Sequence, residues 1–446
     1  MTPHPLCGRP AVDASPRESS RRTNDNGKMK KKTMNTYPRA LGYGPAKTLD
    51  RLGSLIAAVS IASTAACSAG PETAPENEGP VGYAMTSNVW GDDGATGYLF
   101  TVGSLEAGSA SLEQAIELPG GGWLSGRDGD RFVYVSSGEG GPAITRWEVL
   151  SDGRFAQGPT ISFAGLGLTN GIRFGTAPIL SDTKAYLVDP DQHRIAAWNP
   201  AEMTVGTVIE LELEDRDGLP AWIPTVQLRD DVLFVTVVWE QDWRYGDSSR
   251  VIAIDTTTDQ VIGTSDDSRC EQLAVSSQGS DGTSYYTPYA HSSAARNVLG
   301  PGYGTRSCGI RVVPPGAAFD EGWEVDLADL AGGRPSGEFV LANDEVGFFR
   351  AFYADEAGVT LENWQDTLGV PAYRWWRWEI GASEAQEIPD QPLTVEAAHY
   401  VVDGRTYIGN PSADWSTTTI VELDPEGSLR EGLNVTGTPG GLVRVR

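Results

Sequence analysis

Lysine, histidine and cysteine are scarce in this chain, and each scarcity removes a class of function. Lys184 is the only lysine beyond residue 66, and the first 66 residues hold 11 of the 34 Lys/Arg but 4 of the 60 Asp/Glu. The remainder carries 23 basic against 56 acidic side chains, a balance near −33. So acidic a body offers no basic face to a phosphate backbone, which excludes general nucleic-acid binding. Of four histidines, His193, His291 and His399 lie beyond that segment, far apart in sequence, and the four cysteines form no CxxC or Cys/His cluster that would suggest zinc. Asp92-Asp93 and Asp189-Pro190-Asp191 are oxygen-rich, but in an acidic chain they read as solvated turns rather than cation sites. GxSxG, HExxH and a phosphate-binding glycine loop are all missing, so the sequence gives catalysis little to recommend it without deciding the point, and names no cofactor. Long Ala/Leu/Glu/Lys periodicity is missing too. The 53 glycines and 28 prolines are spread among β-branched and aromatic residues, the composition of an all-β chain with many turns.

What is present is a repeat. Residues 120–163 read as four short strands, with Arg127-Asp128-Gly129-Asp130 closing one hairpin and Ser151-Asp152-Gly153 the next. The acidic turn then recurs at Asp130, Asp182, Asp230, Asp281, Asp344 and Asp403, spaced by 52, 48, 51, 63 and 59 residues. A strand precedes each turn, a second follows, and a third (ITRWEVL, RIAAWN, RVIAIDT, GIRVVPP, RWWRWEI, TTTIVELD) leads through a Gly/Pro/Asn turn to a fourth. Six units are complete. The chain ends supply a seventh: VGYAMTSN (81–88), GYLFTVG (97–103) and SLEQAIEL (111–118) match second, third and fourth strands, and GGLVRVR (440–446) matches the missing first. The predicted fold is an all-β, seven-bladed β-propeller of four-stranded blades, its ring closed by N- and C-terminal strands in one blade.

Residues 1–66 read as a leader. The basic run Lys28, Lys30, Lys31 and Lys32 precedes the apolar stretch Leu52–Ala66, which ends in small residues before Cys67. The pattern resembles a bacterial lipoprotein signal, which implies lipidation of Cys67, a signal peptide removed with Cys7, and a cell-envelope location. Ser68 after the lipidated cysteine points to the outer membrane under the sorting rule familiar from enteric bacteria. Residues 67–80 read as an acidic, Pro-rich tether and 81–446 as the propeller. Cys270 and Cys308 are then the two cysteines left to form a disulfide in an oxidising compartment, a pair of free thiols being the alternative.

No Gly-His/Trp-Asp pair or kelch glycine doublet marks the blades, so the array looks more like lactonase-like and quinoprotein-like propellers. The segment His399–Asn410, with Thr436–Gly441, resembles seven-bladed β-propeller lipoproteins associated with catecholate-siderophore (myxochelin-type) gene clusters of myxobacteria. That resemblance implies a part in siderophore-linked iron transport, without assigning ligand residues.

Loop length selects the working face. The first-to-second turns are minimal, whereas the second-to-third connections expand at 238–250, 289–309 and 353–374. These hold the candidate ligand-binding residues Trp239, Trp243, Arg244, Tyr245, Tyr289, Arg296, Tyr303, Arg306, Trp364 and Arg374, joined by Trp415 from a flanking blade. Flat aromatic faces and planar guanidinium forks suit an anionic aromatic ligand such as a ferric siderophore. The bland alternative is that the aromatics pack the loops down while the arginines pair with Asp242, Asp247, Glu356 and Asp366. Two other functions stay open: a protein-interaction platform for a TonB-dependent outer-membrane receptor, and a lactonase-like hydrolase.

Overall fold

A computed structural model describes residues 82–91, 94–173, 175–364, 369–395 and 397–445, all within one compact unit of the chain. The leader, Cys67, the tether and Asp92-Asp93 lie outside the described residues.

Seven antiparallel sheets follow one another as blades. Blade 1 joins Thr438–Val445 to Gly82–Gly91, Gly94–Val102 and Ile116–Pro119, in that order from its first strand. Blades 2 to 6 begin at Gly122–Gly126, Ile179–Ser181, Val226–Arg229, Val275–Gln278 and Ser336–Leu341, and blade 7 at Ala398–Val402. The ring therefore closes as its two ends predict, with Gly82 opposite Val445 and Asn88 opposite Thr438 in one ladder. A second clasp lies beyond the sequence expectation. Gly108–Ser109, between the third and fourth strands of blade 1, runs parallel to Leu429–Thr436 and covers the outer edge of blade 7.

Alternation along each strand directs apolar side chains to both faces, and the blades stack on them. Seven buried apolar clusters occupy the junctions between successive blades, from Leu99, Val133 and Val443 between blades 1 and 2 to Met85, Tyr407 and Ile420 between blades 7 and 1. The recurring acidic turns stitch the same junctions. Arg127 of blade 2 reaches Asp182 of blade 3 at 2.8 Å, the Ser280 N–H of blade 5 donates to Asp344 of blade 6 at 2.6 Å, and Arg444 of blade 1 pairs with Asp403 of blade 7. These are exposed contacts worth about 1 kcal/mol or less each. The pattern is not uniform: Asp281 accepts instead from Thr283, and Asp130 from Arg127, within their own turns.

Asp189 departs from the sequence reading of a solvated turn. It is fully buried and accepts hydrogen bonds from the Thr169 and Asn170 main chain and the Asn170 side chain, fastening the connection into blade 3. Those donors hold its carboxyl below the usual range against the opposing effect of burial. Among the described residues α-helix is confined to Ala290–Leu299, Leu327–Leu330 and Ala354–Ala357, none long and apolar enough to cross a membrane.

Candidate functional site

The three expanded connections come together on blades 4, 5 and 6, although two differ in kind from the loops expected. Residues 238–250 are a continued hairpin: Val232–Gln241 and Arg244–Asp255 stay paired to Gln241 opposite Arg244, and only Asp242 and Trp243 turn. Both have positive φ (52° and 65°), as a type I′ turn demands, which is ordinary for Asp and unfavourable for Trp. Ala221–Trp222 backs the upper hairpin from the other side. The blade 5 connection folds as the helix Ala290–Leu299. Its buried face is Ala290, Ser292, Ser293, Ala294 and Ala295, small enough for the backbone to lie against blade 6. There Gly337 answers it, since a Cβ at that position would sit 2.7 Å from the Pro288 carbonyl oxygen.

Gly304 locks hairpin to helix. Its N–H donates to the Trp243 carbonyl at 2.7 Å, and a Cβ on it would lie 2.2 Å from the Arg296 nitrogen and 2.3 Å from the Ser292 carbonyl oxygen. With φ at 61° as well, only glycine fits without displacement. Trp243 then stands edge-on to His291 and to Trp364, each at 5.5 Å between ring centres. Trp364 is buried with Phe352, Val359 and Tyr373 in an eighth apolar cluster that all three connections share. The Cys270–Cys308 disulfide is formed and closes the base of the blade 5 insertion, with 5.5 Å between Cα atoms.

The sequence-predicted residues divide into two sets. Trp239 is buried, donates to the Glu214 carbonyl at 2.8 Å and carries the Arg216 guanidinium over its ring at 3.6 Å. Arg306 pairs with Glu271 at 2.8 Å and Arg374 with Glu356 at 2.7 Å, the latter also over the Tyr353 ring. The pairing of Arg374 with Glu356 is the one the bland alternative names; Asp366 lies outside the described residues. Tyr289 stacks on His291 at 4.9 Å, and Tyr245 points into the interior. The second set faces outward. Trp243 is half-buried, Tyr303 and Arg244 are exposed and Arg296 is half-exposed; neither Arg244 nor Arg296 forms a side-chain hydrogen bond or ion pair with a described residue. All four leave the main chain at or beside the Gly304 contact. Trp415 sits apart on blade 7, half-buried at φ 59° in a turn whose Ser412 and Ser416 hydroxyls hold the exposed Asp414 down to about 2; its indole nitrogen lies near Gly369.

Sequence reasoning missed Glu240, Gln272 and Ser292. Glu240 is half-buried yet enclosed, and that enclosure pushes its carboxyl up to about 7 against the opposing pull of His291 and of hydrogen bonds from Gln272 and Tyr245. His399, on the first strand of blade 7, bonds its ring to the Ser276 main chain, and burial lowers its pKa. Among the described residues no three His, Cys, Asp or Glu side chains gather as a metal would require.

No protein-family model matches the chain, and no curated protein does. Solved structures of similar fold include the periplasmic gluconolactonase PpgL of Pseudomonas aeruginosa (12% identity, TM-score 0.49, covering 82% of this chain and 99% of that one). A protein from Lactobacillus plantarum (10%, 0.49, 82% and 99%) and apo AztD of Citrobacter koseri (13%, 0.41, 82% and 98%) are others. At such identities and TM-scores no activity transfers to this chain.

Proposed function

We propose that the face built on blades 4 to 6 binds a small anionic aromatic ligand, a ferric catecholate siderophore being the leading candidate, in iron acquisition at the cell envelope. In this reading the chain is an outer-membrane lipoprotein anchored through Cys67, and a TonB-dependent receptor is its partner. The supporting observation is the second set above: Trp243, Tyr303, Arg244 and Arg296 around one backbone contact, with both guanidinium groups unengaged by described residues in a strongly acidic chain. An unpaired arginine beside an aromatic face is free to take an oxyanion and a ring together. A tryptophan held at positive φ adds weight, because such a conformation persists only where neighbours impose it.

Titration of the purified protein with the ferric complex of 2,3-dihydroxybenzoate, followed by tryptophan fluorescence, tests the reading. The Trp243→Ala/Arg244→Ala double variant and Arg296→Ala are each expected to weaken binding about tenfold or more. Unchanged affinity in both would remove the site.

The lactonase-like reading has one observation in its favour, a carboxyl titrating near neutrality at Glu240 beside His291. Lactone hydrolysis abolished by Glu240→Gln would support it, and absence of turnover across a lactone panel would reject it.

A further inference from the structure

The three connections on blades 4 to 6 form a cap, and beneath it hairpin and helix meet through polar groups. Glu240 and Tyr245 are cross-strand partners flanking the Asp242-Trp243 turn, so both side chains leave the hairpin on one face. Buried Gln272 is oriented by the Tyr289 N–H, which donates to its Oε1 at 3.2 Å. Its Nε2 then donates to Glu240 Oε2 at 3.3 Å and to the Tyr245 oxygen at 3.4 Å, committing both amide protons. Tyr245 is bonded to Glu240 as well, and its hydroxyl lies 3.1 Å from Oγ of Ser292, buried in the helix.

We propose that Glu240, Tyr245, Gln272 and Ser292 form a proton-operated latch between the blade 4 hairpin and the blade 5 helix, tight when Glu240 carries a proton and loosened when it does not. With the carboxyl neutral, its O–H donates to the Tyr245 oxygen and Tyr245 donates onward to Ser292. Loss of the proton reverses that chain, so that Ser292 donates to Tyr245 and Tyr245 to the carboxylate. A negative charge is then left in an enclosed place. His291, Gln272 and Tyr245 favour the charged form but do not offset the enclosure. From the helix, His291 faces it, and Arg296 is half-exposed. Glu271, beside Gln272, is already paired with Arg306. Asp242, Arg244 and Asp247 at the hairpin tip are exposed, and Asp355 and Glu356 of the blade 6 insertion pair with Arg334 and Arg374. The carboxylate therefore draws on His291, the ring against which Tyr289 stacks and Trp243 stands, and this carries the change to the seat of Trp243. The raised pKa of Glu240 puts the transition close to neutral pH.

The latch goes beyond ligand binding and is tested without ligand. Two backbone bonds report it, from the Gly304 N–H to Trp243 and from the Thr305 N–H to Ser292. Hydrogen exchange of these amides, corrected for intrinsic rates, is expected to show at least about tenfold lower protection at about pH 8 than at about pH 5.5. Glu240→Gln, permanently neutral and able to donate to Tyr245, should keep the low-pH protection at both. Equal ratios in the two proteins overturn the latch. So does a carboxyl carbon shift of Glu240 in the unsubstituted protein that titrates at the ordinary value of 4.5 rather than about 7. Neither result bears on whether the cap binds a catecholate.

Discussion

The seam that closes the ring and the cap over blades 4 to 6 are joined by opposite means. At the seam the main chain does the joining: Thr438–Val445 pairs along Gly82–Gly91, and Gly108–Ser109 adds a second ladder outside blade 7. Where the closing strand meets blade 2, glycine lets the backbones touch. A Cβ on Gly440 would lie 2.2 Å from the Gly122 carbonyl oxygen, and Asn88 bonds Gly122 through both its side-chain oxygen and nitrogen. Beyond the main-chain bond from Gly304 to Trp243, the cap is held by side chains: a disulfide, edge-to-face aromatics and a titratable polar cluster. Backbone ladders fix a ring that must not open. Side chains leave the cap open to adjustment by solvent, proton or ligand.

If that contrast is right, damage to the seam is global and damage to the cap is local. Removing residues 438–446 deletes a first strand that buries Leu442, Val443 and Val445, at about 1.5–3 kcal/mol each. A loss of about 5 kcal/mol or more matches the whole stability of many folds, so cooperative thermal unfolding should vanish. A truncated protein melting like the parent would show that the ring does not depend on its seam. Next in size is the disulfide, whose partners are 38 residues apart. Replacing both cysteines with serine is expected to lower stability by about 4 kcal/mol in denaturant titration, with proteolysis concentrated between the two positions. Smaller again is Gly304→Ala, expected at about 2 kcal/mol from strain at positive φ and the backbone clash. Its mark should be loss of amide protection at the hairpin tip with the ring's melting nearly unchanged. Equal loss throughout would erase the distinction between the two regions.

The seam was legible in the sequence because it is local pattern twice over: alternating strands at both ends, each lacking what the other supplies. The acidic turns were legible for the same reason, and the cysteine pairing followed from reading residues 1–66 as a leader. The cap was less so. The helix Ala290–Leu299 buries alanine and serine, which give no apolar period, and the hairpin turns at Asp-Trp, outside the Asn-Gly and Asp-Gly signals of a type I′ turn. The Glu240 cluster joins residues 32 and 47 positions apart, so nothing short of the tertiary fold assembles it. Of the aromatic and arginine set, composition alone could not separate Trp239 and Arg374, engaged by Arg216 and Glu356, from Arg244 and Arg296 on the surface of the cap.

The smallest effect distinguishes the regions by the sign of their response to pH. Glu240 in the cap has a folded pKa raised from 4.5 to about 7, so its contribution to stability is complete below 4.5 and is lost as pH rises through about 7. Asp414, in a blade 7 turn on the seam side, is held from 3.8 down to about 2 by Ser412 and Ser416; its contribution is complete above 3.8 and is lost as pH falls toward 2. Melting temperatures of the parent, Glu240→Gln and Asp414→Asn should therefore diverge at opposite ends. The Glu240 variant should outlast the parent above about pH 7 and match it near pH 4, whereas the Asp414 variant should fall below the parent above 3.8 and converge with it near 2. The sign matters more than the size, since an exposed carboxylate contributes little. Were both variants to shift in the same direction across neutral pH, Glu240 would be an ordinary solvated acid and the cap would have no proton sensitivity of its own.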